Sequence, residues 1–110
     1  MVGVNKIILL GNVGKDPEVH EHQNKLALLT LATSKTYKKD GEPVTKTEWH
    51  NLVFWSGLAN VVEKYVKKGM RIYVEGEMTY TSFTDKEGVQ RIKSQVVVSN
   101  MQMLNSENKT

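Results

Sequence analysis

Two kinds of hydrophobic spacing run along the chain, and the switches between them mark its elements. Ile7-Ile8-Leu9-Leu10 is an unbroken apolar run between Lys6 and the Gly11-Asn12-Val13-Gly14 break. A run this short reads as a strand with apolar residues on both faces. Asp16-Pro17 marks a turn. A longer strand follows from about Lys25 to Tyr37, carrying Leu26, Leu28, Leu29 and Leu31. Asp40-Gly41 predicts a hairpin, because a tight turn needs positive φ. Thr47 to Trp55 is again a strand, dominated by bulky and β-branched residues. The period then changes: Leu58, Val61, Val62 and Tyr65 fall at i, i+3, i+4 and i+7, one face of a helix. Ser56 is placed to cap that helix near Gly57, Lys64, Lys67 and Lys68 suit its last turn, and Gly69 is placed to end it.

Period 2 returns from Arg71 to Thr81. Ile72, Val74, Gly76, Met78 and Tyr80 share one face; Arg71, Tyr73, Glu75, Glu77 and Thr79 share the other. Gly76 in mid-strand predicts a bulge or a sharp bend. Asp85-Lys86-Glu87-Gly88 is a further turn, and Gln95 to Leu104 is the last strand. The polar residues Asn105 to Thr110 read as a frayed tail. The prediction is one domain over residues 1–104, all-β with one helix. Five strands with the helix between strands 3 and 4 make a small Greek-key barrel of the OB-fold type, a scaffold that binds oligonucleotides on the face of its middle strands. A barrel strand turns only one face inward, so the doubly apolar Ile7–Leu10 run hints at a subunit contact on the other.

The Thr47–Trp55 strand holds both tryptophans. Alternation puts Trp49, Asn51, Val53 and Trp55 on one face and His50, Leu52 and Phe54 on the other. Leu52 and Phe54 suffice for a core, so the two indoles need a second explanation. They are either a platform for stacking bases, which large rings near basic residues supply, or part of a packed core or subunit interface. His50, opposite them, is expected to be a hydrogen-bonded histidine in a packed setting.

Composition narrows the choice. An apolar fraction of 39% in 110 residues fills one modest core, and a net charge of +3 mildly favours a polyanionic partner. There is no cysteine, hence no disulfide framework or thiolate metal site. No stretch has the length to span a bilayer and the N-terminus lacks signal-peptide character, so a cytoplasmic protein is expected. His20-Glu21-His22 places two histidines at i and i+2, but zinc wants three or four ligands, so no metal and no cofactor are assigned. Neither a nucleophile motif nor a P-loop is present, and the chain reads as a binder rather than an enzyme.

Five segments carry a resemblance to the bacterial single-stranded DNA-binding protein family: Val4-Asn5-Lys6 through Gly11-Asn12-Val13-Gly14-Lys15-Asp16-Pro17-Glu18; Leu31-Ala32-Thr33-Ser34; Thr47-Glu48-Trp49-His50; Tyr73-Val74-Glu75-Gly76; and Met101-Gln102-Met103-Leu104. The resemblance implies an OB-fold that binds and protects single-stranded DNA during replication, recombination and repair, forms homotetramers, and associates with the nucleoid. It places four stacking aromatics at Tyr37, Trp49, Trp55 and Phe83, and basic contacts at Lys6, Lys38 and Lys68, with Lys35 and Lys39 as neighbours. Two of the aromatic positions are commonly tryptophan in the family; here they are Tyr37 and Phe83. The residues before the last aromatic, often basic in the family, are Thr81 and Ser82. The acidic tip through which family members recruit partners has no counterpart in Asn105–Thr110, so tail-mediated partners are not assigned. Two other readings of the same barrel are an OB-fold replication-restart or RNA-binding module, and a scaffold whose aromatic face docks a protein.

Overall fold

A computed structural model describes residues 2–104; the predicted tail at 105–110 lies outside the described residues. Six strands and one helix follow in the order β1 (Ile7–Val13), β2 (Glu18–Glu21), β3 (Lys25–Lys39), β4 (Glu42–Trp55), α1 (Ser56–Tyr65), β5 (Arg71–Thr84) and β6 (Gln90–Met103). The sheet runs β1-β5-β6-β4-β3-β2, and an additional β1–β3 pairing, Asn12 opposite Ala32, closes five of the strands into a barrel. β4 and β6 meet in parallel at Leu52–Val96 and Val53–Val97; every other pairing is antiparallel. This is the predicted five-stranded OB barrel. The strand count differs because β2, with Val19 its only aliphatic residue, pairs with the start of β3 and has no hydrophobic alternation to announce it. The helix therefore follows β4 along the chain, which is still the third strand of the barrel.

Inward-facing residues fill the interior by alternation. Ala27, Leu29 and Leu31 of β3, Leu52 and Phe54 of β4, Ile72 and Val74 of β5, and Val96 and Val98 of β6 are buried together with Val13. The helix closes one end with Ala59 and Val62, joined by Val66 just beyond it. That face lies about one residue away from the predicted stripe: Tyr65 is exposed, and Ala59 takes the inward position. Alanine is a weak hydrophobic signal, but its small side chain allows the helix to sit close. The ends of the helix also depart from prediction. Trp55 occupies the N-cap position without a side-chain bond, and Ser56 enters the helix at φ 53. The last helical bond runs from Val66 N to Val62 O, at 3.0 Å. Val66 is extended, so the chain leaves the helix to bury this valine, and Lys67, Lys68 and Gly69 form a separate turn.

Both long hairpins zip further than the hydrophobic pattern indicated. β3 and β4 pair without interruption from Leu26–Trp55 to Lys39–Glu42, across the predicted Asp40-Gly41 turn, whose residues have φ 53 and 81. A two-residue turn leaves no slack, so β4 begins at Glu42 rather than near Thr47. β5 and β6 pair out to Thr84–Gln90 around a five-residue turn, Asp85–Val89. The tip is pinned by Asp85, whose Oδ1 accepts from the backbone N–H groups of Glu87 and Val89 and whose Oδ2 accepts from Arg91 Nε at 2.6 Å. The Arg91 bond, then the backbone donors, hold the Asp85 carboxyl below the usual carboxylate range. Both hairpin ends stand beyond the barrel as exposed two-stranded arms. The bend predicted at Gly76 is present as a register shift that leaves Ser99 without an opposite residue. A Cβ at Gly76 would lie 2.2 Å from the Val97 carbonyl oxygen, a backbone contact that cannot yield, so only glycine allows the turn of strand there.

Candidate nucleic-acid interface

The outer face of β4 carries both indoles into solvent: Trp49 is 62% exposed and Trp55 45%. They are six residues apart on one face, about 20 Å along a strand at roughly 3.3 Å per residue. The cross-strand partners on β3 are Ala32 beside Trp49 and Leu26 beside Trp55, with the pairs Thr30–Asn51 and Leu28–Val53 between them. His50, on the inward side, is half-buried, with its Nε2 2.8 Å from Thr33 Oγ1, as expected of a structural histidine.

Trp49 is held by its neighbours. Its ring lies against Gly14, where a Cβ would sit 2.6 Å from Cζ3, so a side chain at position 14 would displace the indole. The ring borders a groove of about 430 Å³ lined also by Leu10, Asn12, Ala32, Thr47 and Arg71. The turn after the helix is strapped to the same place. Gly69 N donates to Val13 O at 2.8 Å and Val13 N to Met70 O at 2.8 Å, while Lys68 N donates to Asp16 Oδ1 at 2.9 Å. Arg71 lines the Trp49 groove, and Lys68 lies on the strapped turn rather than in the last turn of the helix.

Tyr37 lies on the β3–β4 arm opposite Val44. Alternation puts it on the other face of that ribbon from Trp49, so a ligand strand touching both must follow the ribbon's twist or cross its edge. On the Tyr37 face the register adds Lys35 and Lys39, and it places Lys46 directly opposite Lys35. Lys46 also approaches Glu48, at 3.5 Å. Two facing ammonium groups on an exposed ribbon disfavour each other, and an anion between them would relieve that. Lys38, opposite Pro43, shares the tryptophan face, which between them carries the hydroxyl pairs Ser34–Thr47 and Thr36–Thr45 at 3.1 and 3.2 Å.

Phe83 stands on the second arm opposite Arg91, with Thr81 opposite Lys93 on the same face. The basic residues missing from positions 81 and 82 are thus replaced in space by two from the facing strand. Sequence reasoning missed Lys46, Arg71, Arg91 and Lys93, since each enters through strand register rather than through a neighbour in the chain. Lys6 is placed differently. It sits at the start of β1, 3.8 Å from Glu75, in a groove lined also by Glu77 and away from the indoles. Tyr73 donates to Glu75 at 2.5 Å, which holds that carboxyl low and raises the tyrosine, and Lys6 adds a smaller effect in the same direction on Glu75.

Among the described residues no group of three or more His, Cys, Asp or Glu could hold a metal. His20 Nε2 lies 2.8 Å from Glu18 Oε2. No helix among the described residues is long and apolar enough to cross a membrane.

The fold and this arrangement recur in known proteins. The chain is 40% identical over 105 residues to a single-stranded DNA-binding protein of Xanthomonas axonopodis pv. citri, an alignment covering 93% of this chain and 58% of that protein. It is 44% identical over 108 residues to single-stranded DNA-binding protein 1 of Xylella fastidiosa, covering 94% and 79%. The chain therefore spans little more than half of the Xanthomonas relative. In three dimensions it matches a Plasmodium falciparum SSB solved in complex with ssDNA, with TM-score 0.88 and 26% identity over 96% of this chain and 98% of that one. With the single-strand binding protein family matching residues 4–104, nearly the whole described barrel and both arms, the chain belongs to that family.

Proposed function

We propose that this chain binds single-stranded DNA with broad sequence tolerance and protects it during replication, recombination and repair, as a binding protein associated with the nucleoid rather than as an enzyme. The observation that carries this reading is the pair of open indoles on the outer face of β4. Bases stack on Trp49, Trp55, Tyr37 and Phe83. Each stack contributes about 1–3 kcal/mol, a magnitude that comes from proteins of this same class and not from the geometry above. Every base has a π-face, which gives the tolerance; a duplex already satisfies its bases by stacking and pairing, which gives the preference for single strands.

Phosphates are neutralised by Lys38, Lys68 and Arg71 near the indoles, by Lys35, Lys39 and Lys46 around Tyr37, and by Arg91 and Lys93 beside Phe83. Lys6 contributes only where it leaves Glu75. Counterion release makes the affinity fall with salt, at a log–log slope of about −0.7 per phosphate contact. Titrations of oligo-dT across a salt series should therefore show a shallower slope for Lys93→Ala, by roughly 0.7 for one lost contact. An unchanged slope would remove this cation from the interface.

The outer face of β1 leaves Ile8 and Leu10 exposed beside Tyr73 of β5. It is the apolar surface through which copies of the chain assemble, in the tetramer that places several sites on one strand and raises affinity by effective concentration. Ile8→Lys should reduce the mass measured by sedimentation, and an unchanged mass would move the contact elsewhere.

A further inference from the structure

Each arm has an inner face, which continues the side of the sheet that lines the barrel core, and an outer one. Period 2 tells them apart. On the first arm, buried Leu29, Leu31 and Leu52 lead outward to Lys35, Tyr37 and Lys46. On the second, buried Ile72, Val74 and Val96 lead through Met78 to Tyr80 and Ile92. Tyr80 stands opposite Ser94 and Ile92 opposite Ser82, which makes the ring and the aliphatic chain diagonal neighbours. They are 72% and 74% exposed, more than either indole, and the remaining positions of that face from Met78 outward are uncharged. The arms part where β4 and β6 stop pairing, beyond Leu52–Val96. Trp49 and His50 line the head of the cleft from one side, Met78 and Ser94 from the other.

From this juxtaposition we propose that Tyr80, with Ile92 beside it, is a fifth base-stacking position, and that the cleft between the arms holds a segment of the strand with its phosphates toward Lys35 and Lys46 and its bases toward Tyr80. The proposal rests on the single-strand reading above and extends it to the wall that the other four aromatics leave uncovered. Trp49, Trp55 and Phe83 lie on outer faces, and Tyr37 lies on an inner one. A strand that reaches Tyr37 has therefore come round to the inner side, where Tyr80 is the aromatic of the second arm. The two walls differ in the way that the two edges of a single strand differ. Lys35 and Lys46 face each other at the centre of one wall, and with Lys39 they outnumber its carboxylates, Glu42 opposite Lys39 and Glu48 3.5 Å from Lys46. The other wall is apolar and uncharged, as a base-stacking surface must be. A hydrophobic protein segment seated on Tyr80 and Ile92 would face the lysine pair across the cleft; a nucleic-acid strand satisfies both walls.

The test combines cross-linking with substitution. Oligo-dT carrying 5-iodouracil, irradiated on the wild type, should attach to the peptide that contains Tyr80, as mapped by mass spectrometry. Tyr80→Ala should weaken oligo-dT binding about tenfold, whereas Tyr80→Phe, which keeps the ring, should bind as the wild type does. Tyr80 is exposed, so circular dichroism should show the barrel retained, and sedimentation should give an unchanged mass. Absence of a cross-link at Tyr80, or affinity of Tyr80→Ala within twofold of the wild type, would overturn the fifth position. A fall in assembled mass for Tyr80→Ala would also overturn it, assigning this face to a second copy of the chain. Each of these results leaves the indole interface standing as long as oligo-dT still quenches tryptophan emission. Failure of the wild type to bind oligo-dT at low salt would overturn both readings.

Discussion

Replacing both indoles, Trp49→Ala with Trp55→Ala, is expected to weaken oligo-dT binding by roughly one and a half to four orders of magnitude while leaving the barrel folded. Each ring supplies about 1–3 kcal/mol of stacking, so the pair supplies roughly 2–6 kcal/mol if the sites act independently. Separation by six positions along β4 makes such independence a fair starting point. Both rings lie outside the barrel core, but each buries part of its surface against the sheet. Thermal unfolding should fall by several degrees without loss of the fold, and binding is compared well below the variant's Tm. The single variants should divide the loss unequally. Trp49 is braced against Gly14 and shares its groove with Arg71, whereas Trp55 is flanked by amides and imidazoles. Equilibrium binding of labelled oligo-dT at low salt measures the effect; a double variant that binds within a fewfold of the wild type would place the strand elsewhere.

One position along, the consequence reverses. Phe54 is fully buried, opposite Ala27 and among Leu29, Leu52, Val62 and Val74 in the core cluster. Phe54→Ala should cost about 3–5 kcal/mol, the lost transfer energy of the ring plus the cavity it leaves. A domain of this size has on the order of 5–15 kcal/mol in total, so that loss lowers Tm by roughly 15 °C or more. Denaturant unfolding at fixed protein concentration measures it, since assembly would otherwise contribute. A loss below about 1 kcal/mol would mean that the ring is not part of the packed interior. Phe54 and Trp55 are adjacent, similar in chemistry and opposite in role, and only the two-residue period of the strand separates them.

That period made much of the molecule legible. It separated Leu52 and Phe54 from the two indoles on β4 and grouped Ile72 with Val74 on β5, although Val53 on the tryptophan face is buried and Tyr80, out on the arm, is exposed; the Asp40-Gly41 dipeptide announced its turn. Where the pattern failed, the cause was physical. β2 is nearly all polar because it lies at the sheet edge and needs no apolar face. The helix buries Ala59 where Tyr65 was expected, since proximity rather than hydrophobicity sets that contact. Val66 leaves the helix to fill the core, which moved Lys67 and Lys68 into a turn against β1. The aromatic positions at Tyr37 and Phe83 came through the family resemblance and were not readable from alternation. The cations around them lie across a hairpin, and register depends on where the turn closes, two residues at Asp40-Gly41 and five at Asp85–Val89. Lys46, Arg91 and Lys93 become visible as neighbours only once the strands are paired.

The central claim is that the two open indoles stack with unpaired bases, and intrinsic tryptophan fluorescence reports on those two residues alone. Titration of the wild type with oligo-dT at low salt should quench the emission saturably, with a binding curve that coincides with one from labelled DNA; Trp49→Ala and Trp55→Ala should each retain part of the quenching. Binding by the labelled strand with no change in tryptophan emission would contradict the account.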